Sequence, residues 1–215
     1  MTEIPSLDVR TVDKPRVPPG QSKTVKWPVL HYGHVPDVDL AKWRFQVTGL
    51  VESPLMLTWA EFQALPRQRT VCDLHCVTRW SRLDNTFEGV PVQEILRRVR
   101  PTAEATHVMV HAAPDYTTNL ALEDLDRPEN LFADLHDGEP LTAEHGGPLR
   151  LLVPHLYFWK SAKWVTGLEF RRSDAPGFWE QNGYHMHGDP WLQERYRKFD
   201  AKQSWFNTFR NESNK

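Results

Sequence analysis

Both cysteines of the chain fall within Arg69–Trp80, RTVCDLHCVTRW, with a histidine between them, two flanking arginines and a closing tryptophan. A thiolate is a ligand for soft or high-valent metal centres, and Cys76 is the expected metal ligand. A cation nearby would favour its thiolate, and Arg79 is the expected source. Apart from Val71, Thr70–Cys76 alternates apolar and polar residues and starts with a β-branched pair, which predicts a half-buried strand. On a strand Cys72, Leu74 and Cys76 share one face, and the two sulfurs stand roughly 13 Å apart. A disulfide needs a Cα separation of roughly 4.4–6.8 Å, and one metal ion could not span the gap either. The strand therefore gives the cysteines separate jobs. A helical segment would instead bring Cys72, His75 and Cys76 together, and a zinc protein or zinc hydrolase is the alternative.

Other stretches carry weaker chemistry. Lys160-Ser161-Ala162-Lys163 brackets two small residues with lysines, so that side-chain cations and backbone N–H groups could converge on one phosphate. In His145-Gly146-Gly147-Pro148-Leu149-Arg150 the glycines would let backbone approach a ligand, or simply make a turn. His185 and His187 form an H-x-H pair without a third ligand in evident spacing, which favours packing or pocket lining. The aromatic, histidine-rich stretch Trp27–His34 either lines a site or anchors the N-terminal arm.

The elements that must position these groups follow from pattern. Residues 1–26 are polar and proline-rich, and read as an extended arm over the domain or a disordered tail. Trp43–Gly49 alternates as a strand, and Leu55 and Leu57 continue it in a second. Thr58 and Glu61 match a capping box, opening a helix that Pro66 ends. After Trp80 a loop through Asn85 and Gly89 is expected, then a helix over Val92–Val99 started by Pro91. Strands are predicted at 106–113, 131–135, 151–153 and 163–172. Asp115–Asn119 reads as a polar loop that could wall a site. The pattern is α+β, mixed sheets with short helices, in one domain over 27–215. Nine Trp and 17 Pro suit a loop-rich fold with aromatic plugs. A net charge of −2 leaves no electrostatic footprint for nucleic acid or an anionic membrane. No apolar run approaches the roughly 20 residues of a membrane span, and no export signal is evident, so the cytoplasm is the expected location. The usual hydrolase, zincin and dinucleotide motifs are absent.

Three segments, in this order, resemble the molybdopterin-binding domain of the sulfite oxidase family. They are Cys76-Val77-Thr78-Arg79-Trp80, the turn from His145 to Arg150, and Lys160 to Lys163. Asp84–Val90 before a Pro-initiated helix and the closing GFWEQNGYHMHGDPW reinforce the order, and the similarity runs over residues 27–196. The chain resembles most the small stand-alone bacterial sulfite oxidase-like oxidoreductases, and it also resembles the catalytic subunit of the periplasmic methionine sulfoxide reductase. The resemblance implies a molybdenum-molybdopterin cofactor with Cys76 as the protein thiolate on molybdenum. It implies that His145 and Arg150 contact the pterin and its phosphate, that Ser161, Ala162 and Lys163 form the phosphate cradle, and that His31 reaches the cofactor. Arg79 and Tyr116 become candidates for the substrate mouth, and Cys72 is structural. Oxygen-atom transfer to or from a small S- or N-oxide, or a sulfite-like substrate, is then expected. No haem is expected, and electrons would pass to or from a separate protein or small carrier. A non-catalytic cofactor-binding module is the remaining alternative.

Overall fold

The chain folds around two sheets, seen in a computed structural model that describes residues 4–11 and 14–197. In chain order the strands and helices are β1 (Ser6–Asp8), β2 (Ser22–Lys23), β3 (Arg44–Gly49), β4 (Leu55–Thr58), α1 (Trp59–Gln63), β5 (Gln68–His75) and β6 (Trp80–Pro91). There follow α2 (Val92–Val99), β7 (His107–Ala112), β8 (Tyr116–Ala121), α3 (Leu122–Leu125), β9 (Leu131–His136) and β10 (Glu139–Pro140). The last are β11 (Arg150–Leu152), β12 (Val165–Arg171) and α4 (Phe178–Gln181). The first sheet runs β1-β5-β6-β9-β10, with β11 also on β9 and β2 on β6. The second runs β4-β3-β12-β7-β8. This is the α+β arrangement of mixed sheets and short helices.

Helix formation follows the local chemistry. Thr58 accepts from the Glu61 amide, and the Glu61 carboxylate accepts from the Thr58 amide, so the capping box forms as expected. Helix α2 buries Val92, Ile95, Leu96 and Val99, a stripe at helical spacing. At roughly 2 kcal/mol per buried aliphatic side chain, that stripe outweighs the weak propensity of so short a helix. Its residues join Phe45, Phe62, Val110, Phe132 and Leu168 in the main core.

Two expectations change. The loop expected through Asn85 and Gly89 is strand β6. Asn85 is fully buried, its amide donating to the carbonyls of Cys72 (3.3 Å) and Arg82 (2.8 Å). A Cβ on Gly89 would lie 2.0 Å from the Phe132 carbonyl oxygen, so this glycine records a close strand approach rather than a turn. The polar loop expected at 115–119 is mostly strand β8, where buried Thr118 and Asn119 find hydrogen-bond partners in the interior. The N-terminal arm lies on the first sheet: β1 pairs parallel with β5, and β2 with β6. Arg16 fixes it to Asp73 and Asp84 at 2.6 and 2.7 Å. Among the described residues no helix is long and apolar enough to cross a membrane.

Candidate active site

Strand β5 ends at His75, and the next residue, Cys76, starts a tight loop back into β6. The Cys76 amide donates to the Trp80 carbonyl at 2.9 Å, and the Arg79 amide to the Cys76 carbonyl at 3.0 Å. The turn puts the Cys76 side chain on the wall of a cavity of about 530 Å³, within the range of small-molecule and cofactor sites. Cys72, four residues earlier, is enclosed by Leu74, Phe87, Leu131, Ala133 and Leu152 in a separate apolar cluster. The separate roles expected of the two cysteines therefore match their surroundings. The zinc alternative needs them together, and among the described residues no group of three or more His, Cys, Asp or Glu is placed to hold a metal ion.

The sulfur of Cys76 accepts from the Thr78 hydroxyl at 3.1 Å. Burial pushes its thiol up, against the Thr78 hydroxyl, the amides of Thr78 and Val77 and the charge of Arg195. Arg79, expected to supply that charge, does not. It is exposed, with a positive φ of 73°, and is not among the cavity-lining residues; its guanidinium lies beside Gly20. Thr78 and Arg195 are the neighbours that sequence reasoning missed. Threonine two residues after a cysteine is an ordinary local pattern, and Arg195 lies 118 residues from its partner Val77.

Arg150 opens β11 and lines the cavity while being only 1% exposed. Its guanidinium donates to the carbonyls of His145 (2.6 Å) and Ser161 (3.0 Å) and lies 4.1 Å from the Phe158 ring centre. Its Nε has no partner among the described residues. Burial pushes Arg150 down to about 9, and no carboxylate among the described residues acts on it. A buried cation without a counter-ion is costly unless an anion completes it. Lys163 also lines the cavity, donates to the Glu144 carbonyl at 2.5 Å, and is pushed by burial, then by Arg150, down to about 7. Between the two cations lie Ser161 and Ala162, both lining the cavity. The amides of Ala162 and Lys163 donate to no backbone carbonyl among the described residues. The Ser161 hydroxyl accepts from the Val153 amide at 2.9 Å. Two cations and a bend of free amides make an anion-binding concavity.

Lys160 does not join them. It is fully buried, with Nζ 2.7 Å from Glu180 and donating to the Asn119 and Met186 carbonyls. The two lysines of the motif face different sites because Phe158–Lys160 is a helical turn and the chain bends at Ser161. Glu180 also accepts from the Trp159 indole at 2.7 Å, so this buried pair braces a cavity wall. His145 is likewise outside the lining. Its ring stacks on Trp27 at 4.0 Å, and its carbonyl holds Arg150. His31 does line the cavity, its Nδ1 3.1 Å from the Gly33 carbonyl, and His34 lines it too. Tyr116 lines the far side and donates to the Trp159 carbonyl at 2.8 Å.

The rest of the wall is aromatic. Trp27, Phe158 and Trp164 stand on the Arg150 side. Phe178, Trp179 and Tyr184 stand beyond Cys76, with Tyr32 packed on Phe178 at 4.6 Å. The high tryptophan content carried this signal without saying which rings would converge. His185 and His187 are drawn away to Glu194 (3.4 and 2.8 Å), and His187 also to Asp124 at 3.2 Å. His187 thus latches the C-terminal segment to α3, and neither histidine lines the cavity.

The oxidoreductase molybdopterin binding domain matches residues 32–179. An uncharacterized oxidoreductase of Bacillus subtilis, YuiH, is 51% identical over 182 residues, covering 84% of this chain and 92% of its own. A putative protein-methionine-sulfoxide reductase subunit of Azospira oryzae, YedZ1, is 32% identical over 74% of this chain and 61% of its own. The protein-methionine-sulfoxide reductase catalytic subunit MsrP of Xanthomonas campestris is 30% identical over 61% of this chain, which spans 45% of that protein. The sulfane dehydrogenase SoxCD of Paracoccus pantotrophus shares the fold, with a TM-score of 0.62 at 21% identity over 71% of this chain and 43% of that one. With the family domain matched across most of its length, the chain belongs to the sulfite oxidase-like family of molybdopterin-binding oxidoreductases.

Proposed function

We propose that this oxidoreductase reduces small organic S-oxides, with Cys76 as the thiolate on molybdenum and the Arg150–Lys163 concavity holding the phosphate of the pterin. The side chains present fit such a cofactor. Arg150 is a buried cation with an unpartnered Nε, and the anion it lacks is what a phosphate supplies. Among the described residues Cys76 offers the only sulfur on the cavity wall, and coordination deprotonates a thiol that burial alone would keep neutral. Once bound, the cofactor supplies two-electron oxygen-atom exchange. Overall, the sulfoxide takes up two protons and two electrons and gives the thioether and one water.

The observation that carries the substrate class is the composition of the wall. Its lysine and arginine side chains are Arg150 and Lys163, and both belong to the phosphate concavity. What remains is dominated by rings: Tyr32, Tyr116, Phe178, Trp179 and Tyr184. A dianion such as sulfite needs uncommitted cations, whereas a neutral sulfoxide with apolar arms packs on aromatic faces. Tyr116 fixes this wall through Trp159. His31 stands edge-on to Trp164 at 5.8 Å, where it bounds the cofactor end of the cavity. Arg79 lies off the cavity and takes no part in holding substrate. The relatives named as methionine-sulfoxide reductase subunits support the same class, and also support a separate protein as electron donor.

The test is metal and pterin analysis of protein made in a host that synthesises molybdopterin. Methionine sulfoxide reduction by a reduced viologen is then compared with sulfite oxidation by ferricyanide. About one molybdenum and one pterin per chain, with sulfoxide the better substrate, is the expected result. Stoichiometric zinc without pterin would overturn the cofactor assignment; faster sulfite oxidation would overturn the substrate class.

A further inference from the structure

The loop that carries Cys76 is held from behind by both ends of the described chain. Gln21, from the N-terminal arm, donates to the Cys76 carbonyl at 3.0 Å. Arg195, near the other end, donates through Nη1 to the Val77 carbonyl at 2.7 Å and through Nη2 to the Gly20 carbonyl at 3.4 Å. Arg195 is 6% exposed, and its guanidinium lies 4.9 Å from the centre of the Tyr157 ring. Both its partners are carbonyls, and its buried Nε has none among the described residues. The adjacent carboxylate, Glu194, is turned to His185 and His187. The charge of Arg195 is therefore not neutralised by its neighbour in sequence. With the carbonyls of Cys76 and Val77 drawn back onto Gln21 and Arg195, the amides of Val77 and Thr78 face the sulfur.

We propose that Arg195 is a positioning residue for the metal centre: it holds the Cys76 loop by the Val77 carbonyl and keeps a fixed positive charge behind the metal-bound sulfur. This rests on Cys76 being the molybdenum ligand. A guanidinium stays charged across the working pH range. In a site shielded from water its field favours the more electron-rich state of a nearby centre. Arg195 thus raises the reduction potential and makes the centre easier to reload with electrons. Arg150 cannot play this part once its charge is met by a phosphate.

The experiment is a redox titration of the metal centre in loaded protein, comparing wild type with Arg195→Gln, Arg195→Met and Arg195→Lys. Two neutral replacements are used so that poor folding of one leaves the other. Molybdenum and pterin per chain are measured in each. Both neutral variants should show a potential shifted downward from wild type, with Arg195→Lys restoring most of the difference. Gln21→Leu, which removes a neighbouring contact without changing charge, should shift the potential clearly less than either neutral Arg195 variant. Equal potentials in all variants would overturn the proposal, as would a Lys or Gln21→Leu variant shifted as far as the neutral ones. Absence of molybdenum and pterin from wild type would instead sink the cofactor assignment, before any variant is compared.

Discussion

Replacing Arg150 by methionine separates what its charge costs from what it is for. Arg150 is 1% exposed, and burial pushes its guanidinium well below the ordinary arginine value, down to about 9. At 1.36 kcal/mol per pKa unit, holding that charge costs the cofactor-free fold roughly 5 kcal/mol. Other contacts of the guanidinium offset part of this. It occupies the carbonyls of His145 and Ser161, and an unpaired buried acceptor costs roughly 1–3 kcal/mol. Its contact with the Phe158 ring adds about 1–2 kcal/mol. The two sides are similar in size, so Arg150→Met should change the stability of cofactor-free protein by less than about 2 kcal/mol. Retention of the cofactor is another matter. Truncating one partner of a buried charge pair costs about 2–5 kcal/mol, which lowers affinity roughly 30- to 4,000-fold. Urea unfolding of cofactor-free protein measures the first quantity, and pterin and molybdenum per chain after extended dilution measure the second. A stability loss above about 4 kcal/mol with pterin occupancy unchanged would make Arg150 a structural arginine and refute its role toward the phosphate.

Cys76→Ser should abolish molybdenum-dependent turnover and metal retention while leaving the unfolding midpoint near wild type. Cys72→Ser should keep the metal but lose about 1–3 kcal/mol, since it puts a hydroxyl among Leu74, Phe87 and Leu152; equal loss of activity in both, with fold and metal intact, would contradict the division of roles. His187, bonded first to Asp124 and also to Glu194, is raised from 6.5 to about 9. A base held above its ordinary value contributes stability that is complete below about 6.5 and is lost as pH rises through 9. The Tm of the wild type should therefore fall across that interval, with a shallower fall in His187→Gln, and parallel curves would remove the latch.

Local chemistry alone settled a good part of this protein. The capping box at Thr58, the apolar stripe of α2 and the alternation of β5 are near-neighbour effects, legible wherever spacing matches a helical or strand period. The strand period kept Cys72 and Cys76 apart, but the shared face it implied for them is lost, because β5 ends at His75 and Cys76 starts the next loop. Tertiary structure decided the rest. Asn85, Gly89 and Asn119 look like loop residues because their types favour turns, and Thr118 reads as part of the polar run around it. Each sits in a strand because a distant partner satisfies its polar group or presses against its bare Cα. Similarity of type told nothing about direction: Lys160 and Lys163 both seemed fit for an anion, yet one is paired with Glu180 inside the protein. Arg79 lies close to Cys76 in sequence, while Arg195, near the far end of the described chain, reaches its loop and acts on the sulfur. A charge acts through space, and its distance to a sulfur is set by how strands pair and where the C-terminal segment returns, which no spacing along the chain records.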